Sequence, residues 1–126
     1  LTGYSDLRDI IREAKNGNLE CQMALDINVY RIKKYIGSYT VALNGLDAIV
    51  FTAGIGENSD YIREKVCTEM EYLGIELDLQ ANQEKFKGIN SIQKVNARVK
   101  ILVIPTNEEL EIAKQCYELI GEIHQL

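Results

Sequence analysis

No apolar run in this chain exceeds about five residues, far short of the roughly 20 that a helix needs to cross a bilayer. A membrane-spanning helix is excluded, and no membrane partner is expected. The N-terminus, Leu1-Thr2-Gly3-Tyr4-Ser5-Asp6, has neither the basic region nor the apolar core of a secretory signal. There is no initiator Met, which suggests an excised piece or a processed chain. Positive charge is scarce: 14 Lys and Arg stand against 19 Asp and Glu, a formal net charge of −5. That balance argues against non-specific nucleic-acid binding, which needs clustered basic residues. The single histidine, His124, lies near the C-terminus, so no internal imidazole serves general acid–base chemistry. Three cysteines, Cys21, Cys67 and Cys116, are odd in number, widely spaced and set in helical patterns. They fit no metal-ligand spacing and read as buried or half-buried reduced thiols of a cytoplasmic protein. Low-complexity segments, repeats and Pro- or Ser-rich linkers are absent as well.

What remains is 126 residues, one domain or less, long enough to bury about two-thirds of its unfolded surface. Asp6 to Lys15 reads as a short helix with Ile10, Ile11 and Ala14 inward and Asn16-Gly17 as its stop. Leu19 to about Leu43 reads as one long helix, closed by Asn44-Gly45. It carries two apolar stripes, Met23, Ile27, Tyr30 and then Ile32, Ile36, Tyr39, Leu43. Two stripes predict burial on two sides, between the sheet and something else, with Arg31, Lys33 and Lys34 on the solvated face. Ala48–Thr52 is expected to be a buried strand, followed by a small-residue turn. The next helix is expected over Asp60 to Leu73, capped by Asn58 or Ser59, with Ile62, Val66, Met70 and Leu73 inward and Gly74 as the stop. Within the looser stretch from Ile75 to Ala97, Leu79–Lys87 is a candidate helix and Ser91–Val95 a candidate edge strand. Val99 to Ile104 reads as a second buried strand, ended by Pro105. A last helix is expected from Asn107 to about Ile123, with Leu110, Ala113, Tyr117 and Ile120 inward.

Strand, helix, strand, helix with crossover-length connections predicts an α/β fold with parallel pairing and right-handed crossovers. Parallel strands place Gly54–Asn58 and Thr106–Glu109 at one sheet edge, where open α/β folds bind ligands. Gly54 and Gly56 lack a Cβ and can take positive φ, so backbone N–H groups there can approach a nucleotide. The alternative is a tight turn that only needs two glycines, and Asn58 is either a cap or a ligand. The string is not a dinucleotide fingerprint, because Ser59 occupies the third glycine position. Thr106 and Glu109 fit a capping box. Glu108 is either a first-turn acid or an oxygen ligand for the magnesium that accompanies ATP. Ser5 or Asp6 caps the first helix, or Asp6 and Arg8 face the nucleotide.

Three motifs in one order give a stronger signal: S-D-L-R-D-I at Ser5–Ile10, D-A-I-V-F-T-A-G-I-G-E-N-S at Asp47–Ser59 and V-I-P-T-N-E-E-L at Val103–Leu110. With Y-R-I-K-K-Y-I-G-S-Y at Tyr30–Tyr39, I-R-E-K-V at Ile62–Val66 and L-G-I-E-L-D at Leu73–Asp78, the chain resembles the C-terminal part of acetate kinase over essentially its whole length. The resemblance implies an actin-like, ribonuclease-H-like ATPase architecture, a single partial domain over residues 1–126, and a homodimer formed through C-terminal domains. It implies that Asp6, Leu7 and Arg8 contact the adenine nucleotide, that Gly54, Ile55, Gly56, Glu57 and Asn58 bind ATP or ADP, and that Glu108 is a Mg²⁺ ligand. The implied reaction moves the γ-phosphoryl of ATP to acetate, giving acetyl phosphate, and runs in reverse. Propionate and butyrate kinases share parts of the pattern. One departure is that Gly3-Tyr4-Ser5-Asp6 stands where the family usually has Gly-x-Ser-Ser-Asp. Family members are much longer, and their catalytic Arg and His residues lie upstream. Phosphoryl transfer needs cations on the equatorial oxygens, so this chain by itself is expected to be inert, with no catalytic residue of its own. Two rivals stand beside that expectation. One is a free-standing α/β module that binds a nucleotide or a protein. The other is a dimerisation unit built on the long helix.

Overall fold

A computed structural model describes residues 7–85, 87–106, 111 and 113–118. The chain divides into two compact units, Leu1–Leu46 and Asp47–Leu126.

The first unit is a helical pair, α1 (Leu7–Lys15) and α2 (Leu19–Ala42). Gly17 turns the chain at φ +95°, a region open to glycine without a Cβ penalty. The Asn18 side chain then caps α2 by accepting from the Cys21 N–H at 3.1 Å, satisfying one orphan donor of the first turn. Ile11 and Ala14 of α1 and Cys21 and Leu25 of α2 form the buried seam. Asn44 adopts φ +58° after α2, and the Gly45 N–H reaches back to the Thr40 carbonyl at 2.9 Å. That closes the helix as a left-handed C-terminal cap, where the Asn-Gly pair predicted it.

Burial of α2 differs from the expectation. Met23 and Tyr39 are 64% and 62% exposed, and Ile27, Tyr30 and Leu43 are exposed too. The two stripes are real as a pattern, but only Ile32 and Ile36 of them are half-buried and the rest stay open. Length explains part of this: by helix geometry α1 runs about 14 Å against about 36 Å for α2. It can seal only the turns around Cys21 and Leu25.

The second unit is built on a three-stranded sheet of order β1-β3-β2, with β1 Ala48–Thr52, β2 Asn90–Ser91 and β3 Lys100–Ile104. β1 and β3 pair in parallel, Ala48 beside Lys100 through Thr52 beside Ile104. β2 pairs antiparallel with β3 and forms the edge. A bridge between Leu77 and Gln93 extends that pairing past Ser91. The sheet is thus mixed rather than all parallel, a common arrangement when an edge strand returns by a short connection. The core gathers Ile49, Phe51, Ile62, Val66, Met70, Ile75, Ile92, Val99 and Ile101. Each fully buried aliphatic side chain there contributes about 1.5–3 kcal/mol relative to exposure.

β1 is not buried throughout. Ile49 and Phe51 point into the core while Val50, between them, is 49% exposed. The strand alternates, as expected when only one sheet face is covered. After it come a short helix α3 (Ala53–Asn58), then α4 (Asp60–Cys67), a 3₁₀ turn (Glu71–Leu73) and α5 (Leu79–Gln83). The predicted single helix from Asp60 to Leu73 breaks at Thr68, where the backbone becomes extended. The Thr68 hydroxyl donates to the Glu64 carbonyl at 2.7 Å, a back-bond that competes with helical pairing. Glu69 follows at φ +60°. The break still delivers Met70 and Ile75 to the same core, with Gly74 in the left-handed region as the stop.

Asp78 caps α5 through bonds from the Gln80 and Ala81 N–H groups, so the candidate helix starts at Leu79 but ends early, at Gln83. Residues 113–118 are helical, yet Ala113 and Tyr117, predicted to point inward, are exposed. Leu110 and Ile120 lie outside the described residues. Cys21 and Cys67 are buried free thiols, whereas Cys116 is exposed, as is every residue of 113–118. No helix of the described residues is long and apolar enough to cross a membrane.

Candidate functional site

The parallel pairing of β1 and β3 puts the ends of both strands at one edge, as their order predicted. The Thr52 hydroxyl donates to the Ile104 carbonyl at 2.7 Å and pins the last rung. Because that hydroxyl is engaged across the sheet, Thr52 makes no side-chain cap to the helix that follows. The chain instead turns sharply. Ala53 sits at φ +55° and Gly54 at φ +43°, ψ −114°. Ala53, a Cβ-bearing residue at positive φ, stores strain of order 1–3 kcal/mol, a feature that clusters at ligand sites, while Gly54 takes its conformation without a Cβ penalty. Alanine is the smallest residue with a Cβ, and glycine has none, so this pair suits the bend.

The two glycines of the turn differ. A Cβ placed on Gly54 would meet nothing within 4 Å; that side of the turn is open. One placed on Gly56 would lie 3.6 Å from the Phe51 backbone carbon, in ordinary contact with the strand end. Of the two glycines that can take positive φ, only Gly54 does so: Gly54 makes the bend and Gly56 does not.

Asn58 is not the helix cap. Ser59, buried, accepts from the Ile62 N–H at 3.2 Å and starts α4. Asn58 is exposed and donates from Nδ2 to the Gly54 carbonyl at 2.9 Å, bracing the turn from its solvent side. The Glu57 carboxylate accepts from the Thr106 hydroxyl at 3.4 Å, so the turn after β1 touches the segment after β3. Ile55 is half-buried. Leu7 and Arg8 open α1, Leu7 half-buried and Arg8 exposed. Asp6, Glu108 and Glu109 lie outside the described residues.

Two residues that pattern reasoning passed over hold the turn from beneath. Arg63 on α4 is only 6% exposed. Its Nη1 donates to the carbonyls of Gly56 at 3.0 Å and Glu57 at 2.9 Å. Its Nε donates to Asn82 Oδ1 at 2.7 Å and its Nη2 to the Asn82 carbonyl at 2.9 Å. Asn82, buried on α5, returns a bond from Nδ2 to the Asp60 carbonyl at 2.9 Å. Among the described residues no buried side-chain nitrogen or oxygen lacks a partner. Burial lowers the Arg63 pKa from its ordinary value, and Asp60 opposes that shift. No local pattern in the sequence marks either residue: Arg63 follows Ile62 of the apolar stripe, where hydropathy alone reads it as solvated.

The arrangement can seat a ligand against a strained turn with one open side. Among the described residues no group of three or more His, Cys, Asp or Glu is placed to hold a metal ion. A cavity of about 550 Å³ lies at the other end of α4, lined among others by Glu64, Cys67, Glu71, Glu76 and Lys94. None of the described site residues lines it.

Comparison with known proteins adds the following. The acetokinase family matches residues 1–114. The chain is 61% identical over 120 residues to an acetate kinase of Flavobacterium johnsoniae, covering 95% of this chain and 30% of that protein. It is 52% identical over 120 residues to an acetate kinase of Thermotoga petrophila, covering 94% and 30%. Among solved structures it superposes on Porphyromonas gingivalis acetate kinase with a TM-score of 0.81 and 42% identity, over 94% of this chain and 30% of that one. A propionate kinase of Francisella tularensis gives a TM-score of 0.75 and 38% identity, over 89% and 28%. The chain thus spans about 30% of the length of the relatives it matches.

Proposed function

We propose, from the premise that the chain belongs to the acetokinase family, that it forms the adenine-nucleotide edge of an ATP-dependent acyl kinase. The observation that carries this is the strained turn at the C-terminal end of β1, open on the Gly54 side and joined through Glu57 to the segment after β3. Open α/β sheets bind ligands at that end. An adenine nucleotide fits the site chemically. The turn offers backbone groups and free space, and a magnesium ion held by phosphates needs only one or two protein carboxylates.

In the whole protein, Gly54, Ile55, Gly56, Glu57 and Asn58 line the nucleotide. Asp6, Leu7 and Arg8 contact it, and Glu108 supplies a carboxylate to the magnesium. The γ-phosphoryl of ATP passes to acetate, giving acetyl phosphate, in a cytoplasmic homodimer whose C-terminal domains, this chain included as a partial domain, meet. Phosphoryl transfer is mainly positioning and charge stabilisation. The groups that carry the reacting phosphoryl and the acyl acid lie outside this chain, which is inert alone. Propionate is the second acyl acid to consider, because a propionate kinase is among the structural neighbours.

The test is calorimetric titration with Mg–ADP of this chain and of its Gly54→Val and Glu108→Ala variants. Saturable binding that Gly54→Val abolishes and Glu108→Ala weakens is expected. Equal binding by all three contradicts the assignment. Acetyl phosphate formation by the isolated chain would contradict its inertness.

A further inference from the structure

The short helix α3 poses a problem that its own residues do not solve. Six residues, of which Ala53 and Gly54 stand at positive φ, are too few to hold a helix by propensity, and the last carbonyls of a helix have no partner within it. The Ile55 carbonyl accepts from the Ser59 N–H at 2.8 Å. The next two carbonyls, of Gly56 and Glu57, both accept from Arg63 Nη1. One guanidinium from the following helix therefore stands in for the missing helical turn.

We infer that Arg63, clamped by Asn82, is the positioning residue of the nucleotide turn. A trans peptide holds its C=O and the next N–H on opposite sides, and the described residues contain no cis bond. Turning the Gly56 and Glu57 carbonyls toward Arg63 fixes the Glu57 and Asn58 N–H groups away from it. Arg63 in this way sets the direction of the turn without touching a ligand. Asn82 holds the guanidinium plane through two bonds, to Nε and Nη2, and is itself tied to α4 through the Asp60 carbonyl. The α5 segment, 19 residues away in sequence, thereby becomes part of the site's support. Lysine cannot replace this residue, because it has one donor nitrogen and no planar fork to serve three acceptor directions at once.

The proposal rests on the nucleotide reading of the turn, and two measurements separate the two. The first needs no ligand: amide hydrogen exchange of the chain, read at Asn58 and Ser59 against β1 and β3. Arg63→Lys and Asn82→Ala should speed exchange at the turn by about tenfold or more while the strands stay protected, since local openings differ in free energy across a fold. Asn82→Asp keeps the acceptor for Nε and should retain most of the turn's protection. Unchanged exchange at Asn58 and Ser59 in Arg63→Lys would overturn the inference. The second measurement is Mg–ADP affinity, with Val66→Ala as a control that truncates the core on the same helix. Arg63→Lys should raise Kd about tenfold and Val66→Ala should leave it within about twofold. If Arg63→Lys and Val66→Ala bind alike, the role of Arg63 is merely structural and the proposal fails. If the unaltered chain and Gly54→Val bind alike, the nucleotide reading fails, and hydrogen exchange still decides what Arg63 does to the turn.

Discussion

Replacing Gly54 with alanine puts a methyl group on the open side of the turn, where its Cβ would meet no atom within 4 Å. Steric clash within the fold is therefore not the expected cost. The cost is backbone: φ +43° with ψ −114° is a conformation that a Cβ-bearing residue occupies only at about 1–3 kcal/mol. In thermal unfolding, that range lowers the midpoint of a unit this size by about 4–8 °C for each kcal/mol. The turn can also escape by relaxing to another conformation. The binding-competent form is then depleted by the same free energy, which raises Kd for Mg–ADP by about 5- to 150-fold. Gly56→Ala is the matched comparison. Its Cβ would make ordinary contact with Phe51 at 3.6 Å, its φ is not positive, and alanine favours helix by up to about 1 kcal/mol over glycine. Midpoint and affinity of Gly56→Ala should both stay near those of the unaltered chain. Calorimetry and titration on the two variants give a direct contrast. If Gly54→Ala and Gly56→Ala behave alike in both assays, the assignment of the bend to Gly54 is wrong.

Four further outcomes are expected. Thr52→Val removes the hydroxyl that donates to the Ile104 carbonyl and should cost about 1 kcal/mol, seen as a fall in the thermal midpoint; no fall would mean that the bond adds nothing to the edge. Leu25→Ala empties the centre of the helical pair, where Leu25 is buried, and should cost about 2–5 kcal/mol, read as loss of helical circular dichroism at low denaturant. A disulfide reagent should modify Cys116 at once, and Cys21 and Cys67 only on unfolding, because only Cys116 is exposed; three equally fast thiols would contradict the packing. Burial, with Glu13 and Glu20 nearby, raises the Cys21 thiol above its ordinary 9.0. A raised folded-state value favours the protonated form. Its contribution is thus full below the unfolded value and is lost as pH rises through the folded one. Stability should decline above about pH 9, more steeply than in Cys21→Ser.

Much of this fold was legible because its strands are local. Ala48–Phe51 and Ile101–Ile104 are short apolar runs rich in β-branched Ile and Val, and both strands lie where the pattern put them. Their parallel pairing followed from the connection between them. The cap at Ser59 and the stops at Gly17, Asn44 and Gly74 were also readable, since each acts within a few residues of chain; the caps at Asn18 and Asp78 are equally local but come from the structure. What was not legible depends on distance or on missing cover. The Thr68–Glu69 break leaves the apolar periodicity of Ile62, Val66 and Met70 intact, so periodicity alone continues the helix. The stripes of α2 look like buried faces because hydropathy records what a residue prefers, not what covers it. Arg63 and Asn82 meet across 19 residues, and no local pattern marks either as buried. Asp6 and Glu108 lie outside the described residues, and their roles rest on the family resemblance.

The most direct test is to follow the backbone amide resonances of the isotope-labelled chain while Mg–ADP is added. The account predicts saturable shifts concentrated at Ala53–Asn58 and at the residues that follow Ile104, with the cavity beside Glu71 and Lys94 unaffected. Shifts confined to that cavity, or a turn that stays unchanged at millimolar Mg–ADP, would contradict it.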